Sequence, residues 1–158
     1  MDWLLKMLSV ALYTVFIQNL VFSGGYGVSE AVRMAAKPRR LLLFSSSIVY
    51  FSLVTSAGCR ALDFFPRIEA LGGTPHTVIF VLVLIAVYAV TALFFRLTFG
   101  AEPKFLSQLG ISALNTLVLA VPFINFKAGY TFVESIGTGL GAGFAFFLAV
   151  MLIGNGMK

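Results

Sequence analysis

Five stretches of the sequence are long, apolar and nearly free of charge, and they restrict the fold more than any other feature. They cover residues 4–24, 41–59, 76–96, 105–123 and 133–155. A helix that crosses a bilayer needs about 17 to 25 such residues. Hydrophobic residues make up 59% of the chain and charged residues 11%, whereas soluble domains carry about 25% charged residues. The sequence therefore predicts an all-α polytopic membrane protein with a single transmembrane domain, residues 1–158, and about five helices.

The lysine and arginine residues between these stretches predict the orientation in the membrane. If all five stretches cross, one side collects Lys6, Arg60, Arg67 and Lys127, and the other collects Arg33, Lys37, Arg39, Arg40, Arg96, Lys104 and Lys158. Cytoplasmic loops retain positive charge. We therefore expect a protein of the cell inner (cytoplasmic) membrane with its N-terminus outside; a re-entrant first stretch would reverse this orientation.

Two further interpretations of these features are less favoured. The net charge of +5 is explained by orientation in the membrane, so membrane lipids are the expected partners and nucleic acid is not. A signal peptide over residues 1–25 would need a small-residue cleavage site and an apolar core of about 7 to 15 residues. The run here is longer, and no convincing cleavage site precedes Gly24.

Polar residues and helix breakers recur inside the first and fourth stretches. Asn19 and Asn115 each stand just ahead of a short apolar run, which then meets Gly24-Gly25 in one case and Pro122 in the other. Interrupted segments at matching positions of two halves are typical of inverted repeats with broken helices. The sequence therefore predicts an inverted-repeat-like fold with interrupted first and fourth segments.

Residues 109–153, LGISALNTLVLAVPFINFKAGYTFVESIGTGLGAGFAFFLAVMLI, resemble the second half of the small membrane subunits of the Rnf and Nqr complexes. These are the A and E subunits of Rnf and the D and E subunits of Nqr. The similar features include Leu109-Gly110-Ile111, Asn115 and the Glu134-Ser135 junction. The resemblance implies a six-helix inverted repeat that pairs with a second subunit of opposite orientation. It also implies a [2Fe–2S] cluster between the two subunits, through which electrons cross the membrane while Na⁺ or H⁺ moves.

This sequence departs from the family at the cluster ligands and at the last helix. Each family subunit supplies two cysteines, and their positions correspond to Ser23 and Thr116 here. The single thiol, Cys59, is interpreted as a small buried hydrophobe. We therefore expect no cofactor and no metal in this chain, with [2Fe–2S] and flavin in partner subunits. The family's sixth helix is also missing from the sequence, and it is either lost or supplied by a partner.

The polar residues of the interrupted segments form the candidate site. They are Asn19, Ser23, Asn115, Thr116 and Asn125. Unpaired polar groups in hydrocarbon cost several kcal/mol, so these side chains should bond between helices or satisfy the broken backbone. The alternative is that they line a hydrated or ion-conducting passage.

The last stretch carries four glycines at alternating positions: Gly137, Gly139, Gly141 and Gly143. They form two overlapping GxxxG pairs. Such a face lets a neighbouring helix approach closely, either within the subunit or across a dimer.

Few residues of the chain could support catalysis. No ionisable residue lies well inside a predicted span, although such residues usually mark ion and proton pathways. Glu30 and Glu134 border the interrupted segments, either at a vestibule or at the level of the headgroups. His76 is predicted in the turn before the third span, where a metal site would need ligands from elsewhere. We therefore expect no enzyme activity from the chain alone.

Three functions remain, and the family interpretation is preferred. The first is a membrane subunit of a redox-driven, ion-translocating oxidoreductase complex, with a scaffold or ion-path role and no cluster of its own. The second is a homo-oligomeric transporter or channel for a small ion or solute, lined by Asn19, Asn115 and Thr116. The third is a purely structural membrane module.

Overall fold

The computed structural model describes residues 1–36, 41–69 and 71–156, and every regular element in these ranges is helical. The helices are α1 (Asp2–Phe16), α2 (Leu20–Gly24), α3 (Val28–Ala35), α4 (Leu41–Leu62), α5 (Pro66–Glu69), α6 (Gly73–Phe99), α7 (Pro103–Ala113), α8 (Thr116–Ala128) and α9 (Phe132–Gly156). The all-α prediction is confirmed. Four of the basic residues used to predict the orientation lie outside the described residues: Lys37, Arg39, Arg40 and Lys158. Pro38 also lies outside them.

Four segments of the described chain are long and apolar enough to cross a membrane. They are α4, α6, the pair α7–α8 and α9. They match four of the five predicted spans. The first predicted span, residues 4–24, is instead divided: α1 has 15 residues, about 22 Å of helix, and ends before α2 begins.

Helix α9 lies at the centre of the bundle, between α1 and α4. Gly137 and Gly141 face α1 so closely that a methyl group added at either position would collide with the backbone of Met7 or Ala11. The residue numbers of the contacting partners rise together, so α1 runs parallel to α9. Further along, Gly154 lies beside Ala35 of α3. Residues 7–35 therefore lie alongside residues 137–154 of α9. This part of α9 is about 26 Å long.

The second glycine pair of α9 contacts α4 in the opposite sense. A methyl group at Gly139 would meet the backbone of Leu53, and one at Gly143 would meet Val49. The residue numbers of the contacting partners rise along α9 and fall along α4, so the two helices are antiparallel. Both glycine pairs thus pack against helices of the same chain, which is the close approach that small residues permit.

The α7–α8 segment packs on α4 as α1–α3 packs on α9. Phe105 of α7 lines a cavity with Leu43 near the start of α4, and Asn125 of α8 bonds to Ser56 further along α4. The two segments are therefore parallel. Two interrupted segments, each parallel to one member of an antiparallel central pair, are the packing expected of an inverted repeat.

Helix α6 closes the far side of the bundle and exposes most of its length. Its buried residues are His76, Phe80, Leu84 and Thr91. Tyr50 of α4 bonds to Thr91 at 2.9 Å, and the two helices are antiparallel. An exposed apolar surface of this kind faces lipid in a membrane protein.

Candidate functional site: the paired helix breaks

Asn19 holds together the two helices on either side of the first break. Its Oδ1 accepts hydrogen bonds from the backbone N–H groups of Val21 (3.2 Å) and Phe22 (3.4 Å), and its Nδ2 donates to the carbonyl of Val15 (3.2 Å). A helix end leaves backbone groups without partners, and an asparagine at the N-cap satisfies some of them. One side chain therefore serves both the end of α1 and the start of α2.

A second irregular point follows at the glycines between α2 and α3. Gly25 and Gly27 have φ angles of 69° and 74°, in the left-handed region that glycine adopts without steric cost. The Gly24-Gly25 pair was predicted to break the segment, and α2 does end there. Gly27 then stands at the N-cap of α3.

The fourth segment breaks at Asn115 and not at Pro122, so the predicted position of this interruption is wrong. Asn115 is the N-cap of α8, and its Oδ1 accepts from the N–H of Leu117 at 2.9 Å. Pro122 lies buried inside α8. Packed membrane helices tolerate proline because neighbouring groups and local adjustments satisfy the freed backbone. Asparagine, which favours caps over helix interiors, is therefore the residue that marks the break.

The break at Asn115 meets the glycine turn between α2 and α3, although the two are far apart in sequence. The backbone N–H of Gly27 donates to Thr116 Oγ1 at 2.9 Å. A methyl group at Gly27 would lie 2.8 Å from Asn115 Oδ1, so no larger residue fits between the two caps.

A contact with α9 places the end of α1 near the middle of the bundle. Thr14, just ahead of the first break, lies against Gly141, close to the midpoint of α9. The second break divides its segment into helices of 11 and 13 residues. Both breaks are therefore near the membrane midplane.

The surface around the breaks is open in the isolated chain. Ile17, Phe22 and Leu114 are exposed, and so are Ser23 and Thr116. The Ser23 hydroxyl lies within hydrogen-bond distance of the carbonyls of Gln18 and Asn19. Asn115, by contrast, is 3% exposed, and its Nδ2 has no hydrogen-bond partner among the described residues.

Asn125 belongs to a different polar contact. It is also 3% exposed, and its Nδ2 donates to Ser56 Oγ, which donates to the carbonyl of Ser135 at 2.8 Å. This contact joins α8, α4 and α9. The structure thus brings Asn115 and Thr116 together with Gly27, the N-cap of α3, and we call this contact the break site. Asn125 lies outside it.

The residues at the family's cluster positions do not fit an iron–sulfur cluster. Ser23 and Thr116 offer hydroxyl groups that bond to backbone, whereas such clusters are held by thiolates. Cys59 is buried in α4 and is the one cysteine in the sequence.

The structure reveals a buried ionisable pair that the sequence did not predict. His76 lies in the first turn of α6, fully buried, and not in a turn before it. Its Nε2 is 3.1 Å from Asp63 Oδ1, and Asp63 Oδ2 is 3.0 Å from Arg60. The His76 ring also stacks on Phe126, with centroids 4.1 Å apart. This cluster ties the end of α4 to the start of α6.

The two glutamates that border the interrupted segments have local partners. Glu30 pairs with Arg33 at 3.1 Å, and Glu134 accepts from the N–H of Thr131 at 2.8 Å, as residues of a helix first turn do. Within residues 1–36, 41–69 and 71–156, no three His, Cys, Asp or Glu side chains are grouped as metal ligands would be.

The fold and the break site together define a polytopic α-helical membrane protein with two interrupted segments that meet near the midplane. No family model matches the chain, and no solved structure matches it. The chain is similar to the A subunit of the Na⁺-translocating ferredoxin:NAD⁺ oxidoreductase complex of Acetobacterium woodii. The two are 21% identical over 152 residues, which cover 94% of this chain and 78% of the Acetobacterium woodii protein.

Proposed function

We propose that the chain is an Rnf-like membrane subunit of a redox-driven, ion-translocating complex, in which it acts as a scaffold and as part of the ion-path wall. The observation that carries this proposal is the pair of interrupted segments, joined by the Gly27–Thr116 hydrogen bond and open on one face. The similarity to the Acetobacterium woodii protein supports it.

The physical argument for a partner subunit rests on the exposed breaks. Irregular backbone at membrane depth is tolerated only where protein buries it or where it lines a water-filled cavity. The apolar side chains beside the breaks, Ile17, Phe22 and Leu114, are exposed in the isolated chain. Apolar side chains do not favour a water-filled cavity, so another membrane subunit covers this face in the assembled protein.

The polar groups at the breaks suit an ion-path wall and not an electron carrier. The hydroxyl groups of Ser23 and Thr116, which belong to exposed residues, can bond water or a partner's side chains, whereas Asn115 is buried. In this proposal the [2Fe–2S] cluster and the flavin belong to partner subunits. The complex lies in the inner membrane with the N-terminus of this chain outside, as the lysine and arginine bias indicates.

Purification from native membranes in mild detergent tests the proposal. Mass spectrometry should identify flavin- and iron–sulfur-bearing partner subunits, and iron and flavin should co-purify. Recovery of the chain alone or as a homo-oligomer would contradict the proposal and favour the transporter or channel function, which ion-flux assays would then examine.

A matched pair of glycine variants shows whether the breaks hold the partner. Both glycines have positive φ, but a methyl group at Gly27 meets Asn115, whereas one at Gly129 meets nothing within 4 Å. Gly27→Ala should therefore lose the partner subunits, and Gly129→Ala should retain them. Equal retention by the two variants would show that the break geometry is not the docking surface.

A further inference from the structure

A groove runs between α4, α6 and α7. It consists of two adjoining cavities that share Leu43, Ser47, Phe105 and Leu109 as lining residues. The smaller cavity, about 140 Å³, extends to α3. The larger, about 460 Å³, extends along α6 past Val90, and its volume is within the range of small-molecule sites in proteins.

In the larger cavity, the hydroxyl groups of the lining residues already have hydrogen-bond partners within the protein. Tyr50 and Thr91 bond to each other, and Thr91 also donates to a carbonyl of its own helix. Ser46 and Ser47 likewise donate to carbonyls four residues earlier. Because these hydroxyls are occupied, the groove offers a hydrocarbon chain an apolar wall.

The smaller cavity of the groove carries one cationic side chain. Arg33 of α3 and Gln108 of α7 line it. The Arg33 side chain is 44% exposed and pairs with Glu30 on its own helix. Arg96 at the end of α6 and Lys104 at the start of α7 stand at the same end of the bundle. This end belongs to the lysine- and arginine-rich side of the chain, which the positive-inside rule places in the cytoplasm.

We propose that this groove binds an anionic glycerophospholipid, with the phosphate at Arg33 and one acyl chain between α4, α6 and α7. The cytoplasmic leaflet carries anionic lipids, and basic pockets between membrane helices on that side bind their headgroups. The apolar cavity along α6 matches the acyl chain of such a lipid, and Arg33 matches its phosphate. The inference does not depend on the proposed redox complex.

The test compares two lipids on the delipidated, detergent-solubilised protein. Dioleoylphosphatidylglycerol should raise the melting temperature and remain bound in native mass spectrometry, whereas dioleoylphosphatidylcholine should do so much less. Each basic residue near the surface contributes about 1 kcal/mol to anionic lipid binding, which corresponds to about five-fold in affinity. Arg33→Gln should therefore weaken phosphatidylglycerol binding about five-fold, and Arg67→Gln, exposed at the other end of the bundle, should not.

Two neighbouring leucines provide a steric control. Leu43 is 48% exposed and lines both cavities, whereas Leu42 is 70% exposed and lines neither. Leu43→Trp should fill the groove and abolish phosphatidylglycerol binding, and Leu42→Trp should leave it unchanged. Equal binding of the two lipids, or full binding by a folded Leu43→Trp protein, would overturn the proposal. If Leu43→Trp does not fold, the Arg33→Gln and Arg67→Gln comparison decides.

Discussion

Single side chains determine where this chain departs from continuous helix. Asn19 and Asn115 cap the second halves of the two interrupted segments, and each does so because an asparagine side chain can replace the missing backbone acceptor. Both residues are visible in the sequence as polar exceptions in apolar runs. Because an unpaired polar group in hydrocarbon costs free energy, a polar residue in an apolar run needs a hydrogen-bond partner, and the free backbone groups at a helix end supply it.

The first prediction compares the two buried asparagines at the start of α8 and within it. Asn115→Leu should lower the free energy of unfolding by about 1 to 2 kcal/mol, since it removes the cap bond and places a larger group beside Gly27. Asn125→Leu removes the bond to Ser56 together with an oxygen that has no partner among the described residues. It should cost less, because it leaves the Ser56–Ser135 bond and the helix cap intact. Thermal unfolding in detergent measures both; equal losses would contradict the comparison.

The second prediction concerns the buried pair between α4 and α6. Removing one partner of a buried hydrogen bond leaves the other partner unsatisfied and costs about 1 to 3 kcal/mol, so Asp63→Asn and His76→Gln should each lower the free energy of unfolding by about that much. The double variant should cost less than the sum of the two single variants. The partly exposed Glu30–Arg33 pair is the control, and Glu30→Gln should change stability by less than about 1 kcal/mol. Strict additivity of the two buried substitutions would show that the pair is not coupled.

Helix α9 shows how one element can pack against two others at once. Its alternating glycines divide into a pair that faces α1 and a pair that faces α4. The sequence predicted a close-packing face but left its partner open, because GxxxG spacing does not distinguish a helix of the same chain from one of another copy. Likewise, apolar length predicted about five spans, of which four correspond to long apolar segments of the described chain. Whether Pro122 would end a helix depended on packing that the sequence does not contain.

The third prediction compares two glycines of α9. Gly139→Ala brings a methyl group within 2.9 Å of the Ser52 carbonyl, whereas at Gly154 the nearest atom is 3.7 Å away. Overpacking costs about 1 to 3 kcal/mol, so Gly139→Ala should lower the melting temperature. Gly154→Ala should raise it slightly, since alanine favours helix over glycine by about 1 kcal/mol. A loss of stability at both positions would indicate that backbone conformation, not close packing, requires these glycines.

The whole molecule has the packing of an inverted repeat, with α4 and α9 at the centre and an interrupted segment parallel to each. The matching asparagines and helix breakers predicted an inverted-repeat-like fold with interrupted first and fourth segments, but not which helices form its centre. The sequence did not predict that the two interrupted segments meet, because the Gly27–Thr116 bond joins residues 89 positions apart. Nor did it predict the Asp63–His76 pair, whose members look like ordinary loop charges until the ends of α4 and α6 are brought together.

The central claim is that another membrane subunit covers the face with the helix breaks, and photocrosslinking in native membranes tests it most directly. A photoreactive residue would replace Phe22 beside the breaks or, as a control, Leu82 on α6; the two side chains are 54% and 59% exposed. We expect position 22 to crosslink to a subunit of a flavin- and iron–sulfur-containing complex, and position 82 to crosslink to lipid alone. No protein crosslink at position 22, or a crosslink only to a second copy of this chain, would contradict the proposal.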